Sequence, residues 1–316
     1  MANRDSSQQS YDVIVVGAGP AGLTAALVLG RARRRVLVFD DGRLRNAPSR
    51  AAHGVFTRDG TPPVELQRIA LEQLTPYDVR VEQRHVTLAR RTPHGFEVRT
   101  DERAFHGRKL LLATGVRDRD VNVPGLWDLI GTKVFHCPYC DGWEVRDRRL
   151  GGLAPEEGAA DLGLALTTWS PHVTLFTHGQ VTLQPDEREE LQRNGVAVYE
   201  EPLARVETNG EELAGVRLAT GELVRIDALF VHAGIDQRSP LAEQLGCRLE
   251  PDQRAYHDEC QRTGVPGVFI AGDAASHVHA VSVASAAGYR AAVNINRELR
   301  EEHSASLREE LAVAGE

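Results

Sequence analysis

The sequence predicts an α/β fold made of two units of alternating strand and helix, the second inserted into the first. Three observations predict it. A strand, a glycine turn, an apolar helix and a second strand follow one another from Tyr11 to Phe39. A strand excursion closed by a further strand and a glycine occurs twice, over 81–115 and 198–234, as internal repeats do. A final strand and a long helix of small residues have no place in the second repeat, so they return to the first.

The elements follow in order. Tyr11–Val16 is a short β-branched run and reads as a buried strand. Gly17-Ala-Gly-Pro-Ala-Gly22 comes next, then an apolar helix to about Gly30, and Val36–Phe39 reads as the second strand. This places a G-x-G-x-x-G spacing between strand and helix, the context of a Rossmann-like dinucleotide-binding unit. Gly17 permits the turn, Gly19 lets backbone approach a pyrophosphate, and Gly22 lets helix and strand pack. Pro20 and Ala21 open the helix, whose N-terminus stabilises phosphate charge. Asp40 lies 18 residues beyond Gly22, where a carboxylate accepts hydrogen bonds from a ribose, and Asp41 follows it.

The strands TLARR and FEVRT flank a Pro-His-Gly turn, and KLLLATG ends at Gly115. In the second repeat ARVETNG, GVRLATG and ALFVHAG take the same parts. Between the repeats, Leu162–Trp169 reads as a helix and Val173–Phe176 as a strand. VPGVFIAGDAA is then a strand running into Gly272-Asp273. The expected division is 1–116 with 244–316 as the first domain and 117–243 as the insertion. Both domains are expected to be Rossmann-like, dinucleotide-binding in type.

Composition removes several function classes. The 316 residues are 41% hydrophobic, enough for two cores, and the formal net charge is −8. A phosphate-backbone partner needs clustered Lys and Arg, so no nucleic acid is expected. No apolar run reaches membrane-spanning length, and MANRDSSQQS at the start is a polar lead-in without a signal peptide's apolar stretch. A cytoplasmic location is expected. The chain has four cysteines, Cys137, Cys140, Cys247 and Cys260, too few for a disulfide-stapled secreted fold. In a reducing compartment a C-x-x-C pair such as Cys137-Pro-Tyr-Cys140 is catalytic or metal-binding more often than structural.

GAGPAG, ATG at Ala113–Gly115, C-x-x-C-D-G at Cys137–Gly142 and AGD at Ala271–Asp273 stand in that order. Together they resemble the low-molecular-weight thioredoxin reductase type of FAD-dependent disulfide oxidoreductase, over nearly the whole chain. Arg45–Gly60, RNAPSRAAHGVFTRDG, is similar to a divergent bacterial branch, some of whose members are dithiol oxidases that close disulfides in natural products. The resemblance implies FAD as cofactor and a homodimer. It implies that Gly17, Gly19, Gly22 and Asp40 hold the ADP half of FAD, with Pro20, Ala21, Asp41 and Asn46 beside it. Thr114 and Gly115 would lie where the chain crosses near the flavin, and Gly272 and Asp273 near its ribityl–pyrophosphate region.

Three readings of Cys-Pro-Tyr-Cys-Asp compete. A zinc site needs four ligands, and Cys247 and Cys260 form no second clip, although His136 and His257 are available. A structural disulfide across so short a loop constrains the unfolded chain little. A redox pair is favoured: one thiol attacks, its partner resolves, and Asp141 passes the proton. Phe135 and Trp143 read first as core filling. Cys-Pro-Tyr-Cys also occurs in glutaredoxins, and Pro138 and Tyr139 stand where bacterial thioredoxin reductases carry Ala-Thr. That leaves the electron partner open.

The second unit departs from the family. Its turn falls near Ala154-Pro-Glu-Glu-Gly158, without the G-x-G-x-x-G/A spacing, and Glu156 and Glu157 stand where a pyrophosphate would lie. Arg148, Arg149, Gly151 and Gly152 make a poor strand before it. After VTLF comes Thr177-His-Gly-Gln180, with no Arg or Lys for a 2′-phosphate. Both departures point to weak or absent NADPH binding. Electrons would then come from a reduced protein such as ferredoxin or flavodoxin and pass to a thioredoxin-like protein or a small disulfide. Alternatively, the chain is a dithiol oxidase using oxygen, or a flavin redox sensor without turnover. His277 and His279 are candidate bases near the flavin, or loop histidines facing solvent. Cys247 reads as a core residue and Cys260 as part of an exposed strand.

Overall fold

The computed structural model of the chain describes residues 10–314, so nearly all of the polar lead-in lies outside the described residues. The first elements are β1 (Ser10–Val16), α1 (Pro20–Arg31), β2 (Val36–Asp40), α2 (Pro63–Leu74), β3 (Val79–Gln83), β4 (Leu88–Thr92), β5 (Gly95–Arg99), β6 (Ala104–Leu112) and β7 (Val116–Asp118). Next come β8 (Val134–Phe135), α3 (Pro138–Asp141), β9 (Leu150–Leu153), α4 (Ala159–Leu166), β10 (Val173–Phe176), α5 (Pro185–Arg193) and β11 (Ala197–Tyr199). The last are β12 (Leu203–Asn209), β13 (Glu212–Leu218), β14 (Leu223–Val224), β15 (Ala228–Val231), β16 (Ile235–Gln237), α6 (Leu241–Gln244), β17 (Val268–Ile270) and α7 (Val281–Ala314). Two compact α/β units result. The first takes the chain up to Arg45, then Val64–Arg117 and everything from Asp236; the second takes Asn46–Pro63 and Asp118–Ile235.

The first unit is a sheet of order β3-β2-β1-β6-β5-β4, with β17 also on β6. Strands β1, β2, β3, β6 and β17 are parallel, and β4 and β5 are antiparallel additions. Parallel strands are covered on both faces, which is why β2 (VLVFD) is buried at every position. Each fully buried Leu or Val side chain there contributes about 1.5–3 kcal/mol. Small residues let two helices approach on one face: Ala21, Gly22, Ala25 and Ala26 of α1 are buried, and a Cβ on Gly288 of α7 would run into the Ala21 backbone. Lys109 of β6, 7% exposed at its side chain, pins α7 through Glu298 at 2.8 Å and Glu302 at 2.6 Å.

The second unit holds a five-stranded parallel sheet, β11-β10-β9-β15-β8, and an antiparallel sheet, β12-β13-β14. Its central strand is β9, Leu-Gly-Gly-Leu, which overturns the expectation of a poor strand at this point. Gly151 pairs with Thr174 on one side and Leu229 on the other, and all four residues are buried. Packing overrides propensity here. Ile226 and Leu229 already fill the space a Cβ on Gly151 would take, as Leu162 and Leu166 do at Gly152. The helix expected over 162–169 forms three residues earlier, as α4, from the left-handed Gly158.

Candidate active site

In the first unit the C-terminal ends of four parallel strands form one edge. Backbone hydrogen bonds hold them in step: Gly17 N to Phe39 O at 2.9 Å, Ala113 N to Val16 O at 2.8 Å, and Ala271 N to Leu112 O at 3.0 Å. This edge is where open α/β sheets bind ligands. It brings Gly17–Gly22, Asp40, Thr114, Gly115, Gly272 and Asp273 together, at strand ends, in the loops after them or in the helical turn that follows.

Two of these glycines have a steric reason. Gly17 has φ +112°, and a Cβ on it would run into the Ala113 carbonyl. A Cβ on Gly22 would run into the Gly17 carbonyl, so the helix starts hard against the strand. At Gly19, by contrast, nothing lies within 4 Å of where a Cβ would be. That open space sits at the N-terminus of α1, which has no side-chain cap and no acid in its first turn. Uncapped N–H groups facing open space are what a pyrophosphate requires. The residues fit the ADP half of a dinucleotide.

Asp40 is buried and already engaged. Its Oδ1 accepts the Gly42 N–H at 2.9 Å and its Oδ2 accepts Gln67 Nε2 at 3.1 Å. Asp41 is the outward-facing acid, near Arg238 at 3.6 Å. Arg45, the first residue of the RNAPSRAAHGVFTRDG segment, to which the sequence assigned no contact, donates to Asp273 Oδ2 at 3.1 Å and to His279 Nδ1 at 2.8 Å. The other ring nitrogen of His279 therefore carries the proton and donates to the Ser276 carbonyl at 3.0 Å. His279 is a held tautomer rather than a free base, and His277 is exposed, 3.8 Å from Asp252. Asn46 sits in a turn of the second unit, its carbonyl accepting Ser49 N–H at 3.0 Å.

The second unit carries the cysteines. Cys137 and Cys140 form a disulfide, with Cα atoms 5.2 Å apart, around the single turn of α3. Strand β8 delivers the chain to it. Gly142 follows because a Cβ there would meet the Pro138 carbonyl and lie 2.7 Å from the Trp169 ring. Tyr139 is 85% exposed and stands edge-on to Trp169 at 5.2 Å. Trp143 is 65% exposed under the Arg146 guanidinium, so it does not fill the core; Phe135 does. Burial, then the neighbouring Glu144, pushes Asp141 up to about 6, with His53 opposing. A carboxyl that titrates near 6 can both take and return a thiol proton close to neutral pH. Of the remaining cysteines, Cys247 is buried, as expected. Cys260 lies in a turn rather than a strand, held there because the Asp258 carboxylate accepts its N–H at 2.8 Å.

At the corresponding strand-to-helix turn of this unit, Glu156 occupies the ground. Its carboxylate lies 3.2 Å from Arg119 Nη1 and over Gly234, where an added Cβ would meet it. After β10, Thr177 is fully buried, and His178 Nδ1 accepts the Leu203 N–H at 2.8 Å. Burial lowers the His178 pKa, which favours the neutral ring.

The model of the pyridine nucleotide-disulphide oxidoreductase family matches residues 11–288. The chain belongs to that family. Thioredoxin reductase tcpT of Claviceps purpurea is 33% identical, over 85% of this chain and 88% of its own. Among solved structures, HlmI is 34% identical, covering 99% of this chain and 100% of its own, with a TM-score of 0.92. An oxidoreductase from Agrobacterium tumefaciens is 32% identical over 92% and 99%, with a TM-score of 0.87. The chain is thus a flavoprotein disulfide oxidoreductase of the thioredoxin reductase type. Among the described residues no helix is long and apolar enough to cross a membrane.

Proposed function

We propose that this flavoenzyme works without nicotinamide and takes its electrons from an external dithiol. FAD, held by Gly17, Gly19, Pro20, Ala21, Gly22, Asp40, Thr114, Gly115, Gly272 and Asp273, would accept two electrons from the reduced cysteine pair and pass them on. Dioxygen is the acceptor that closes the cycle: a dithiol and oxygen give a disulfide and hydrogen peroxide, with atoms and electrons balanced. The dithiol is a thioredoxin-like protein or a small molecule, and the enzyme works as a homodimer. Exposed Tyr139 and Trp143 beside Cys137 and Cys140 suit an incoming ligand of either size.

The observation that carries the reading is Glu156. A carboxylate paired with Arg119 over Gly234 occupies the turn to which a nucleotide's pyrophosphate would come, and a phosphate would have to compete with it for that guanidinium. Neutral His178 and buried Thr177 supply no cation for a 2′-phosphate.

Anaerobic mixing tests this. Dithiothreitol is expected to bleach the flavin and NADPH to leave it yellow; oxygen should then restore the colour with stoichiometric peroxide. Fast bleaching by NADPH refutes the proposal. Bleaching by reduced ferredoxin or flavodoxin, with none by dithiols, would make the chain a protein-fed reductase instead.

A further inference from the structure

A second titratable group, from much earlier in the chain, stands against Glu144, just beyond the turn that carries the disulfide and Asp141. His53 begins a loop that the second unit holds closed: Ala52 N–H donates to Thr61 O at 2.9 Å and Gly60 N–H to Ala52 O at 3.0 Å. Inside the loop, Asp59 Oδ1 accepts the Gly54 N–H at 2.7 Å, and Asp59 Oδ2 lies 3.3 Å from His53 Nδ1. The opposite ring nitrogen, Nε2, lies 3.5 Å from Glu144 Oε1, three residues beyond Asp141. The His53 side chain is 23% exposed, so the ring reaches both the protein interior and solvent. The ring and the Gly54 amide together hold the Asp59 carboxyl below its usual range.

A carboxylate behind an imidazole fixes its tautomer and orientation, and the far nitrogen here meets Glu144, the neighbour that raises the proton affinity of Asp141. The stoichiometry of the exchange gives it a task. When a dithiol reduces the Cys137–Cys140 bond, two S–H bonds break and one S–S bond forms in the substrate. In the protein, one S–S bond breaks and two S–H bonds form. Two protons cross, and one carboxyl holds one. A single buried carboxyl must therefore shed the first before it takes the second.

We propose that His53, oriented by Asp59, is a positioning residue that relays protons between Asp141 and solvent during disulfide exchange. The proposal rests on Asp141 being the acid–base group of that exchange. The charged groups that bear on Asp141 are Glu144, which raises its proton affinity, and His53, which lowers it. Those that bear on His53 are Asp59 and Glu144.

The test is the pH profile of anaerobic reduction of the holoenzyme by dithiothreitol, read by flavin bleaching, with FAD content confirming that each variant folds. His53→Ala is expected to slow reduction roughly tenfold or more, within the span of general acid–base effects, and to move the limb near pH 6 to higher pH. Added imidazole should restore the rate. Glu144→Gln should move the same limb to lower pH, and Asp59→Asn should weaken the relay without moving the limb as far as His53→Ala does. An unmoved limb with uniform slowing and no imidazole rescue overturns the proposal, as does a shift of both His53→Ala and Glu144→Gln in one direction. Full activity in Asp141→Asn overturns the underlying role of Asp141 instead, so the two failures are separable.

Discussion

Asp141→Asn is the substitution whose consequence can be worked furthest. The carboxyl ordinarily titrates at 3.8, and burial followed by Glu144 pushes it up to about 6 in the folded chain. Below 3.8 the group is protonated whether the chain is folded or not, so Asp and Asn cost nearly the same. Between 3.8 and about 6 the folded state holds the proton more tightly than the unfolded state. Stability of the native chain therefore falls as pH rises through that window. Above it, the folded protein carries a buried charge that the amide removes. A rise of about two pH units, at about 1.36 kcal/mol for each, gives about 3 kcal/mol as the upper limit, and partial solvent access to Asp141 reduces this to about 1–2 kcal/mol. The chain's three tryptophans, Trp127, Trp143 and Trp169, all lie in the second unit with Asp141, so tryptophan fluorescence reports that unit's unfolding. With FAD in excess, the Asp141→Asn variant should match the native chain near pH 4 and melt higher at pH 7.5. An advantage that shrinks as pH rises would refute the reasoning, because it would mean that a paired, ionised Asp141 stabilises the fold. In activity the same change should slow dithiol exchange by about 10²–10⁴-fold.

Other expectations follow from single observations. Cys140→Ser should keep FAD and lose all dithiol–disulfide exchange, measured by flavin bleaching with dithiothreitol. Gly17→Ala, forcing a Cβ into the Ala113 carbonyl, should yield protein without flavin absorbance. Lys109→Met removes the buried ammonium but leaves Glu298 on Arg262 and Glu302 on Arg108, so it should cost only about 1–2 kcal/mol in urea denaturation. Glu156→Gly should raise affinity for NADPH in a calorimetric titration without changing the rate of reduction by dithiols.

What could be read in the sequence was local. Tyr11–Phe39 carries strand, turn and helix signals within thirty residues, and each glycine has its backbone reason there. The disulfide was legible from the spacing of two cysteines. What escaped depends on residues distant in the chain. Leu-Gly-Gly-Leu becomes a central strand because Ile226, Leu229, Leu162 and Leu166 leave no room for larger side chains, which no local propensity records. His53 reaches Glu144 across about ninety residues; the sequence marked only the segment Arg45–Gly60 that contains it, and nothing local points from that segment to Glu144. Arg45 escaped for the same reason, since its partners Asp273 and His279 come more than two hundred residues later.

The two strand-to-helix turns of this chain form an internal comparison. In the first unit three residues separate β1 from α1, the space at Gly19 is open, and no acid stands in the first helical turn. In the second, five residues separate β9 from α4, Asp161 stands in the first turn, and Glu156 is paired with Arg119. Both turns serve parallel sheets of the same kind, so the scaffold is kept while the local charge is reversed. A fold tolerates this because the turn is on the surface and contributes little to the core. On the proposed reading a dinucleotide would tolerate it less well, since its pyrophosphate would have to displace a carboxylate that already has its guanidinium. The asymmetry is what supports the proposed cycle, in which the second unit keeps the disulfide, does without the nucleotide, and receives electrons through the sulfurs.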